Sequence, residues 1–138
     1  MEASTENRLF TLEEASSVLP RVRSLASDLR DKAQELVTLR ANLDSFRERK
    51  QTGDHAVDGE AQLVVRTLGN ANHVAEEMRV LATALEALGC ELKDVHTGLL
   101  DFRSMREDRV VYLCWRLGED EIRFWHELDT GFAGRQPL

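Results

Sequence analysis

Two rows of apolar residues that repeat every seven positions constrain the fold of this chain more than any other feature. The first row is Ala15, Val22, Leu29, Leu36 and Leu43, and the second is Val18, Leu25, Leu39 and Phe46. Lys32 is the one interruption of the second row. Apolar residues spaced 3.5 positions apart on average stay on one face of an α-helix. The rows therefore predict a helix over about residues 12–50.

The predicted start of this helix carries a capping signal. Thr11 can cap the first turn, and Glu14, three positions later, can reach back to the Thr11 amide. Pro20 lies inside the predicted helix. Because proline lacks an amide donor and clashes with the preceding turn, we expect either a kink or a helix that ends and restarts at Pro20.

A second helix is predicted over about residues 61–88, again from apolar residues in sevens. Its rows are Val64, Ala71, Met78 and Leu85, and Leu68, Val74, Ala75, Leu81 and Leu88. Gly89 follows where a left-handed helix cap is expected. The intervening residues 51–60 contain Gly53 and Gly59 and predict an exposed loop. Two such helices fold back as an antiparallel, coiled-coil-like hairpin.

Two helices alone leave part of their apolar rows uncovered. We expect either the C-terminal third or a second copy of the chain to cover them, and we predict a homodimer or another protein partner. The residues predicted to form this interface are Val22, Leu25, Leu29, Leu36, Leu39, Leu43 and Phe46.

The C-terminal third has short runs of β-branched and aromatic residues separated by turn signals, such as "VVYLCW" and "EIRFWHEL". These predict an antiparallel meander of three or four strands over about residues 90–128, followed by a tail at 129–138. The predicted architecture is α+β, in a single domain covering residues 1–138.

A turn at Gly118 and Glu119 would set the register of the last hairpin. It would pair Trp115 with Ile122, Leu113 with Phe124 and Val111 with His126. This register places Cys114 and His126 on opposite faces of the sheet. It also makes Arg123 the cross-strand neighbour of Cys114.

Composition excludes several classes of function. The formal net charge of −7 and the pI near 5.1 argue against nucleic acid as a partner. The first ten residues, "MEASTENRLF", do not resemble a signal peptide, and no run of about 18 apolar residues suggests a membrane span. Cys90 and Cys114 have no C-x-x-C spacing. We therefore predict a cytoplasmic protein with reduced thiols.

The segment "WHELD" suggests a transition-metal site. The candidate ligands are His126, Glu127, Asp129 and Cys114, and Asp101 can join them from a neighbouring strand. Because consecutive strand residues point to opposite faces, His126 and Glu127 can share one ion only if the strand ends between them. The alternative for His126 is a histidine at the edge of the core that hydrogen-bonds to a backbone or carboxylate group.

Three further residues are candidates for binding a small ligand. They are Trp125, Arg123 and Arg135, the last of which follows the glycines of "TGFAGRQPL". Cys114 as a nucleophile would need a nearby base and a positively charged neighbour. We assign no catalytic residue. On the second helix, Asn72 and His73 belong to a polar stripe that is typical of a solvated face, and they would be its best polar contacts if a partner covered it.

Three segments of the chain resemble a known family. They are "FTLEEASSVLP", "LGCELKDVHTGLLDF" and "YLCWRLGEDEIRFWHELDTGFAGRQPL". Nearly the whole chain is similar to a bacterial and archaeal family known as domain of unknown function 2203. The resemblance implies a small prokaryotic cytoplasmic protein with a helical N-terminal part, and it implies no catalytic residues.

Two functions therefore stay open. The first is a non-enzymatic interaction module that self-associates through its helices. The second is a protein that binds a metal or a small ligand through the C-terminal block. No cofactor is assigned, and a transition metal is the one candidate.

Overall fold

The structure is a computed structural model that describes residues 8–51 and 59–138. Its elements are α1 (Leu12–Gln51), α2 (Glu60–Ala87), β1 (Glu91–Asp94), β2 (Leu99–Arg106), β3 (Arg109–Arg116), β4 (Phe124–His126), a 3-10 turn (Phe132–Gly134) and β5 (Gln136–Pro137). The strands form one antiparallel sheet in the order β1-β2-β3-β4-β5. The predicted α+β architecture is confirmed, with five strands where three or four were expected. Most of the loop predicted over residues 51–60 lies outside the described residues.

The chain divides into two compact units. The sheet unit contains residues up to Arg30 and residues from Leu81 to Leu138, and the hairpin unit contains Asp31–Val80. The single domain predicted from the sequence stays a prediction. Neither described helix has an apolar stretch long enough to cross a membrane.

The capping box predicted at the start of α1 is confirmed. The Thr11 amide donates to Glu14 Oε1, and the Glu14 amide donates to Thr11 Oγ1, both at 3.0 Å. The prediction of a helix that ends at Pro20 is wrong, because α1 runs through this exposed proline. Proline removes only one amide donor, and the other hydrogen bonds of a 40-residue helix remain.

Gly89 ends the second helix as predicted. Its φ of +94° lies in the left-handed region, and its amide donates to Glu86 O at 2.9 Å. A Cβ at this position would lie 2.9 Å from Arg8 Cδ and 3.0 Å from Phe10 Cζ. Glycine is therefore required by both the backbone conformation and the close approach of the N-terminal segment.

One face of the sheet carries the apolar core of the sheet unit. Phe102, Leu113 and Trp125 lie in one cross-strand row, and Leu100 and Trp115 lie in another. Phe102 packs edge-on against Phe10, with ring centroids 5.2 Å apart. In the N-terminal half of α1, the Arg23 guanidinium lies 5.9 Å from the centroid of the Trp115 ring. This half of the helix therefore packs beside β3.

The turn between β2 and β3 sets a register that matters for the site. Glu107 and Asp108 both have positive φ, at 49° and 64°. Two such residues form the type of tight turn that matches the twist of the flanking strands. The resulting register places Asp101 directly opposite Cys114.

The register predicted for β3 and β4 is wrong by one residue. The structure pairs Tyr112 with His126, Leu113 with Trp125 and Cys114 with Phe124. The strands are not joined by a two-residue turn, since a longer connection runs from Leu117 to Arg123. A shift of one residue moves every side chain of a strand to the other face. Cys114 and His126 therefore lie on the same face, and the neighbour of Cys114 is Phe124 instead of Arg123.

The hairpin unit buries few apolar side chains. Among its described residues, only Ala33, Leu36 and Val74 are buried apolar residues. Lys32, which interrupts the apolar row of α1, pairs with Glu77 of α2 at 3.0 Å. Three further residues of the apolar rows of α1 are only half-buried: Leu39, Leu43 and Phe46.

The residues predicted as an interface lie in both units. In the sheet unit Val22 and Leu29 are buried and Leu25 is half-buried. Side chains buried within the chain have no surface left for a partner. Leu39, Leu43 and Phe46 of the hairpin unit are half-buried and keep part of their surface exposed, so their role in an interface stays a prediction.

Candidate metal centre

Three potential metal ligands converge on one face of the sheet. Asp101 of β2 lies opposite Cys114 of β3, and His126 ends the neighbouring strand β4. One ligand atom from each residue lies within 4.8 Å of those of the other two. All three side chains are buried, with 2% of Asp101, none of Cys114 and 2% of His126 exposed. Among the described residues, no other group of three such side chains is this close.

The hydrogen bonds of His126 fix the role of each ring nitrogen. Nδ1 lies 2.7 Å from the carbonyl oxygen of Glu127. Since a carbonyl oxygen only accepts, Nδ1 carries a proton and donates it. Nε2 lies 3.0 Å from Asp101 Oδ2, and one proton shared between these two atoms completes this bond. The imidazole is therefore held with Nε2 aimed into the cluster.

Asp101 has one carboxylate oxygen without a partner. Oδ1 is buried, and within the described part of the chain it has no hydrogen bond. Burial raises the pKa of Asp101, although the nearby His126 and the Cys114 thiol both act in the opposite direction. A buried polar atom without a partner is rare in native proteins because its desolvation is uncompensated. A cation beside Oδ1 would remove this cost.

Cys114 is a thiol and not an activated nucleophile. Burial and the charge of Asp101 raise its pKa to about 12, although the Arg135 guanidinium opposes this rise. Arg135 Nη1 approaches Sγ at 3.9 Å. A reactive cysteine needs a lowered pKa and access to a substrate. The geometry therefore favours a packing thiol or a metal ligand over nucleophilic catalysis.

Arg135 closes one side of the cluster. It donates to both carboxylate oxygens of Glu119, at 3.1 and 2.6 Å, and its guanidinium lies 3.9 Å from the centroid of the Phe124 ring. Burial acts to raise the pKa of Glu119, but the bonds from Arg135 and the Arg116 amide outweigh it and lower this pKa. Because Glu119 balances the charge of Arg135, the guanidinium next to Cys114 does not leave an unpaired positive charge there.

A second group of polar residues, centred on Tyr112, borders the cluster of Asp101, Cys114 and His126. The Tyr112 ring lies 5.3 Å from that of His126, and its hydroxyl donates to Glu91 Oε1 at 3.0 Å. Glu91 also accepts from Arg103 at 2.8 Å and from Lys93 at 3.2 Å. Burial acts to raise the pKa of Glu91, but these three donors outweigh it and lower this pKa. Glu91 is therefore a fully partnered carboxylate beside the partly partnered Asp101.

The other predicted ligands lie outside the cluster. Glu127 pairs with Arg109, whose Nε lies 3.0 Å from Oε1, and Asp129 is exposed. Trp125 is buried in the row of the opposite face, where the guanidinium of Arg106 lies 4.6 Å from its ring centroid. Arg123 is exposed and pairs with Asp120 and Glu121. Of the residues predicted for a metal or a ligand, Cys114, His126 and Arg135 come together.

Asp101 was predicted only as an additional ligand from a neighbouring strand. The signal for a larger role was present in the turn between β2 and β3. If the chain turns at Glu107 and Asp108, the residues on either side pair in order, and this order places Asp101 opposite Cys114. The position of His126 had no such local signal.

Comparison with known proteins gives a family and no closer relative. No curated protein and no solved structure matches the chain. A family model, described as "Uncharacterized conserved protein (DUF2203)", matches residues 8–138. This match covers nearly the whole chain, including both helices and all five strands. The chain therefore belongs to the DUF2203 family of uncharacterized conserved proteins.

Proposed function

We propose that the protein binds a divalent transition metal of the zinc class through Asp101, Cys114 and His126. The observation that carries the proposal is the convergence of their three ligand atoms within 4.8 Å in a buried site. Zinc in proteins is bound by cysteine sulfur, histidine nitrogen and carboxylate oxygen, and all three donor types are present here. Thiolate ligation favours zinc over magnesium or calcium, which prefer oxygen alone.

The spacing of the donors supports this proposal. Ligands about 2.0–2.3 Å from one tetrahedral zinc ion lie roughly 3.3–3.7 Å from each other. The distance of 3.0 Å between His126 Nε2 and Asp101 Oδ2 needs to widen by only a few tenths of an ångström. The bond from Nδ1 to the Glu127 carbonyl is the outer contact that usually orients a metal-bound histidine. Three protein ligands leave a fourth position for water or another small ligand.

Binding would exchange protons for the metal ion. The Cys114 thiol loses its proton to become a thiolate, and the proton between His126 and Asp101 also leaves to solvent. The bound ion then contacts Asp101, whose Oδ1 is otherwise without a partner. The ligand set carries two negative charges when deprotonated, which matches a divalent cation.

The metal content of untagged protein, purified without chelators and under reducing conditions, tests this proposal. We expect about one equivalent of metal per chain, and we expect Asp101→Asn or His126→Ala to weaken binding by at least about tenfold. Reconstitution with cobalt reports on ligand identity, because a cobalt–thiolate bond gives an intense near-ultraviolet band. We expect this band in the wild type.

The two cysteines provide a matched pair of variants. Cys90 is also buried, but its thiol contacts Leu85 O at 3.2 Å and lies outside the cluster. Cys114→Ser should abolish the cobalt–thiolate band, whereas Cys90→Ser should retain it. A band that is absent from the wild type, or that survives Cys114→Ser, would refute the proposal.

A second proposed function concerns the hairpin unit. We infer that this unit is an interaction module that packs against another helix. The supporting observation is that this unit buries only three apolar residues among those described. Five large apolar side chains of the same unit are exposed: Val37, Leu63, Val65, Leu68 and Val80. Helical hairpins gain most of their stability from packing of apolar faces. A partner would supply the missing burial.

The solution mass of the purified full chain tests the interaction role. Sedimentation between 1 and 200 µM should show a mass that rises with concentration. A chain that remains monomeric throughout this range would remove self-association as the form of the interaction.

A further inference from the structure

The helix α2 carries a second heptad row that no described residue covers. Its members are Ala61, Val65, Leu68, Asn72 and Ala75, which are spaced four, three, four and three positions apart. All five are exposed, and 69% of Val65 and 46% of Leu68 is accessible. This alternation of four and three is the spacing by which one helix packs against another.

The row that faces α1 is a different set on the same helix. It consists of Val64, Thr67, Ala71, Val74 and Met78, which are buried or half-buried. A helix that packs against only one neighbour needs only one such row. Two rows side by side are typical of a helix in a bundle with more than one neighbour.

A groove lies beside the N-terminal half of the exposed row. Its volume is about 670 Å³, and its apolar lining comes from Leu43 and Phe46 of α1 and from Ala61, Val64 and Leu68 of α2. Ala61 and Leu68 thus belong both to the exposed row and to the wall of the groove. A second helix placed on the row would therefore also contact one wall of this groove.

We propose that the occupant is α2 of a second copy of this chain, packed antiparallel. This inference rests on the interaction role proposed above for the hairpin unit. In this arrangement Val65 of each copy lies against Leu68 of the other, and Ala61 lies against Asn72. The two large apolar residues then meet at the two-fold axis, and the small alanine leaves room for the amide. The row is therefore complementary to itself.

The charges of the hairpin unit favour the antiparallel direction. Arg47 and Lys50 lie at the groove near Ala61. At the other end of the row the glutamates are already paired within the chain, Glu76 with Arg79 and Glu77 with Lys32. An antiparallel pair keeps the basic ends of the two copies apart. A parallel pair would place like charges together, which costs affinity.

The overall charge of this unit does not oppose self-association. Residues 31–80 contain nine acidic and seven basic side chains, which gives a formal charge of −2, whereas the whole chain has −7. Most of the excess negative charge therefore lies outside the proposed interface. Asn72 is the polar member of the row, and one such residue commonly fixes the register of a helical pair.

Sedimentation of full-length variants tests the surface. We expect Val65→Glu to weaken dimerisation by at least about tenfold, because it buries a charge at the centre of the interface. Val80→Glu is the matched control, since Val80 is on the same helix, is 55% exposed and lies outside the row. Because both positions are exposed in one chain, both variants should keep the helicity of the wild type.

Cysteine cross-linking tests the direction. An equal mixture of the variants Ala61→Cys and Asn72→Cys should form a disulfide between them. Neither variant alone should do so, because equivalent positions lie 11 residues apart along the axis, about 16 Å. The native cysteines are both buried, and the wild type serves as the control.

The outcomes separate this inference from the broader interaction role. A dimer that resists Val65→Glu, or that cross-links Ala61→Cys to itself, would overturn the antiparallel row and leave the interaction role standing. A chain that stays monomeric up to 200 µM would overturn this inference and would leave a different protein as the partner of the hairpin unit.

Discussion

The sheet unit and the hairpin unit differ sharply in how much they bury. Of the twenty buried apolar residues in the described chain, seventeen belong to the sheet unit and three to the hairpin unit. The sheet unit thus has a core that can hold side chains in a fixed geometry, as a metal site requires. The hairpin unit has periodic apolar rows but little burial, as expected for a surface that binds another helix. Apolar periodicity along a helix therefore does not by itself predict how much of the helix is buried.

A second contrast lies within the sheet unit, between two carboxylates that face each other across β1 and β2. Glu91 accepts hydrogen bonds from three side chains, and its pKa is lowered. Asp101 is more deeply buried, its Oδ2 bonds to His126, and its pKa is raised by burial. The pKa values of these two adjacent carboxyl groups are thus shifted in opposite directions: Glu91 is a structural ion-pair partner, and Asp101 is a candidate ligand.

A leucine-to-alanine substitution should destabilise the sheet unit strongly and the hairpin unit hardly at all. Leu100→Ala in the sheet unit should lower the free energy of unfolding by about 2–5 kcal/mol, since this side chain is fully buried. Leu63→Ala in the hairpin unit should change it by less than about 0.5 kcal/mol, since 45% of Leu63 is exposed. Denaturant unfolding measures both values. Equal losses would contradict the contrast between the units.

Addition of zinc should stabilise the sheet unit alone. At a free concentration one hundred times the dissociation constant, a single site adds about 2.7 kcal/mol. Hydrogen exchange should slow in β2, β3 and β4, and a chelator should reverse the change. Protection confined to the hairpin unit would place the metal elsewhere.

A higher protein concentration should slow amide exchange in the hairpin unit alone. If α2 pairs with a second copy, amide exchange in residues 60–80 should be roughly tenfold slower at 200 µM than at 2 µM. Exchange in β2 and β3 should not change. The variant Val65→Glu should lose this dependence, while Val80→Glu should retain it.

Acid should weaken the sheet unit through Glu91. Its pKa is lower in the folded chain, so its contribution is present above the unfolded pKa and is lost as the pH falls through the folded value. Between pH 6 and pH 3 the wild type should therefore lose more stability than Glu91→Gln, by about 1 kcal/mol. Urea unfolding at several pH values measures the difference. Parallel pH profiles for the two proteins would refute this role.

The smallest expected effect concerns Asp101 in metal-free protein. Its raised pKa means that the folded chain holds the proton where the unfolded chain releases it, so its contribution falls as the pH rises through that range. Asp101→Asn cannot ionise and should raise the free energy of unfolding near pH 7 by roughly 0.5 kcal/mol in chelator-treated samples. The same variant should lose the stabilisation by zinc. A variant that zinc still stabilises would exclude Asp101 as a ligand.

Several features of the fold were predictable because their signals are local. Thr11 and Glu14 lie in one turn, and Gly89 directly follows a helix. The long helices follow from apolar periodicity, with predicted bounds within one residue of Leu12–Gln51 and Glu60–Ala87. For these elements, a few neighbouring residues suffice to decide the conformation.

The position of His126 was not predictable in this way. Its face depends on the length of the connection from Leu117 to Arg123, where the Trp115 indole donates to Glu119 O at 3.0 Å. Arg135, sixteen positions further along the chain, holds the carboxylate of the same Glu119. Contacts between distant residues thus fix a register that differs by one position from the simplest hairpin.

The two helices, their caps and their main apolar rows follow from local signals in the amino-acid sequence. That His126 joins Asp101 and Cys114, and that one row of α2 stays exposed, depends on the tertiary structure. The physical reason is that side-chain periodicity gives the face of an element, whereas packing between distant segments decides what that face meets.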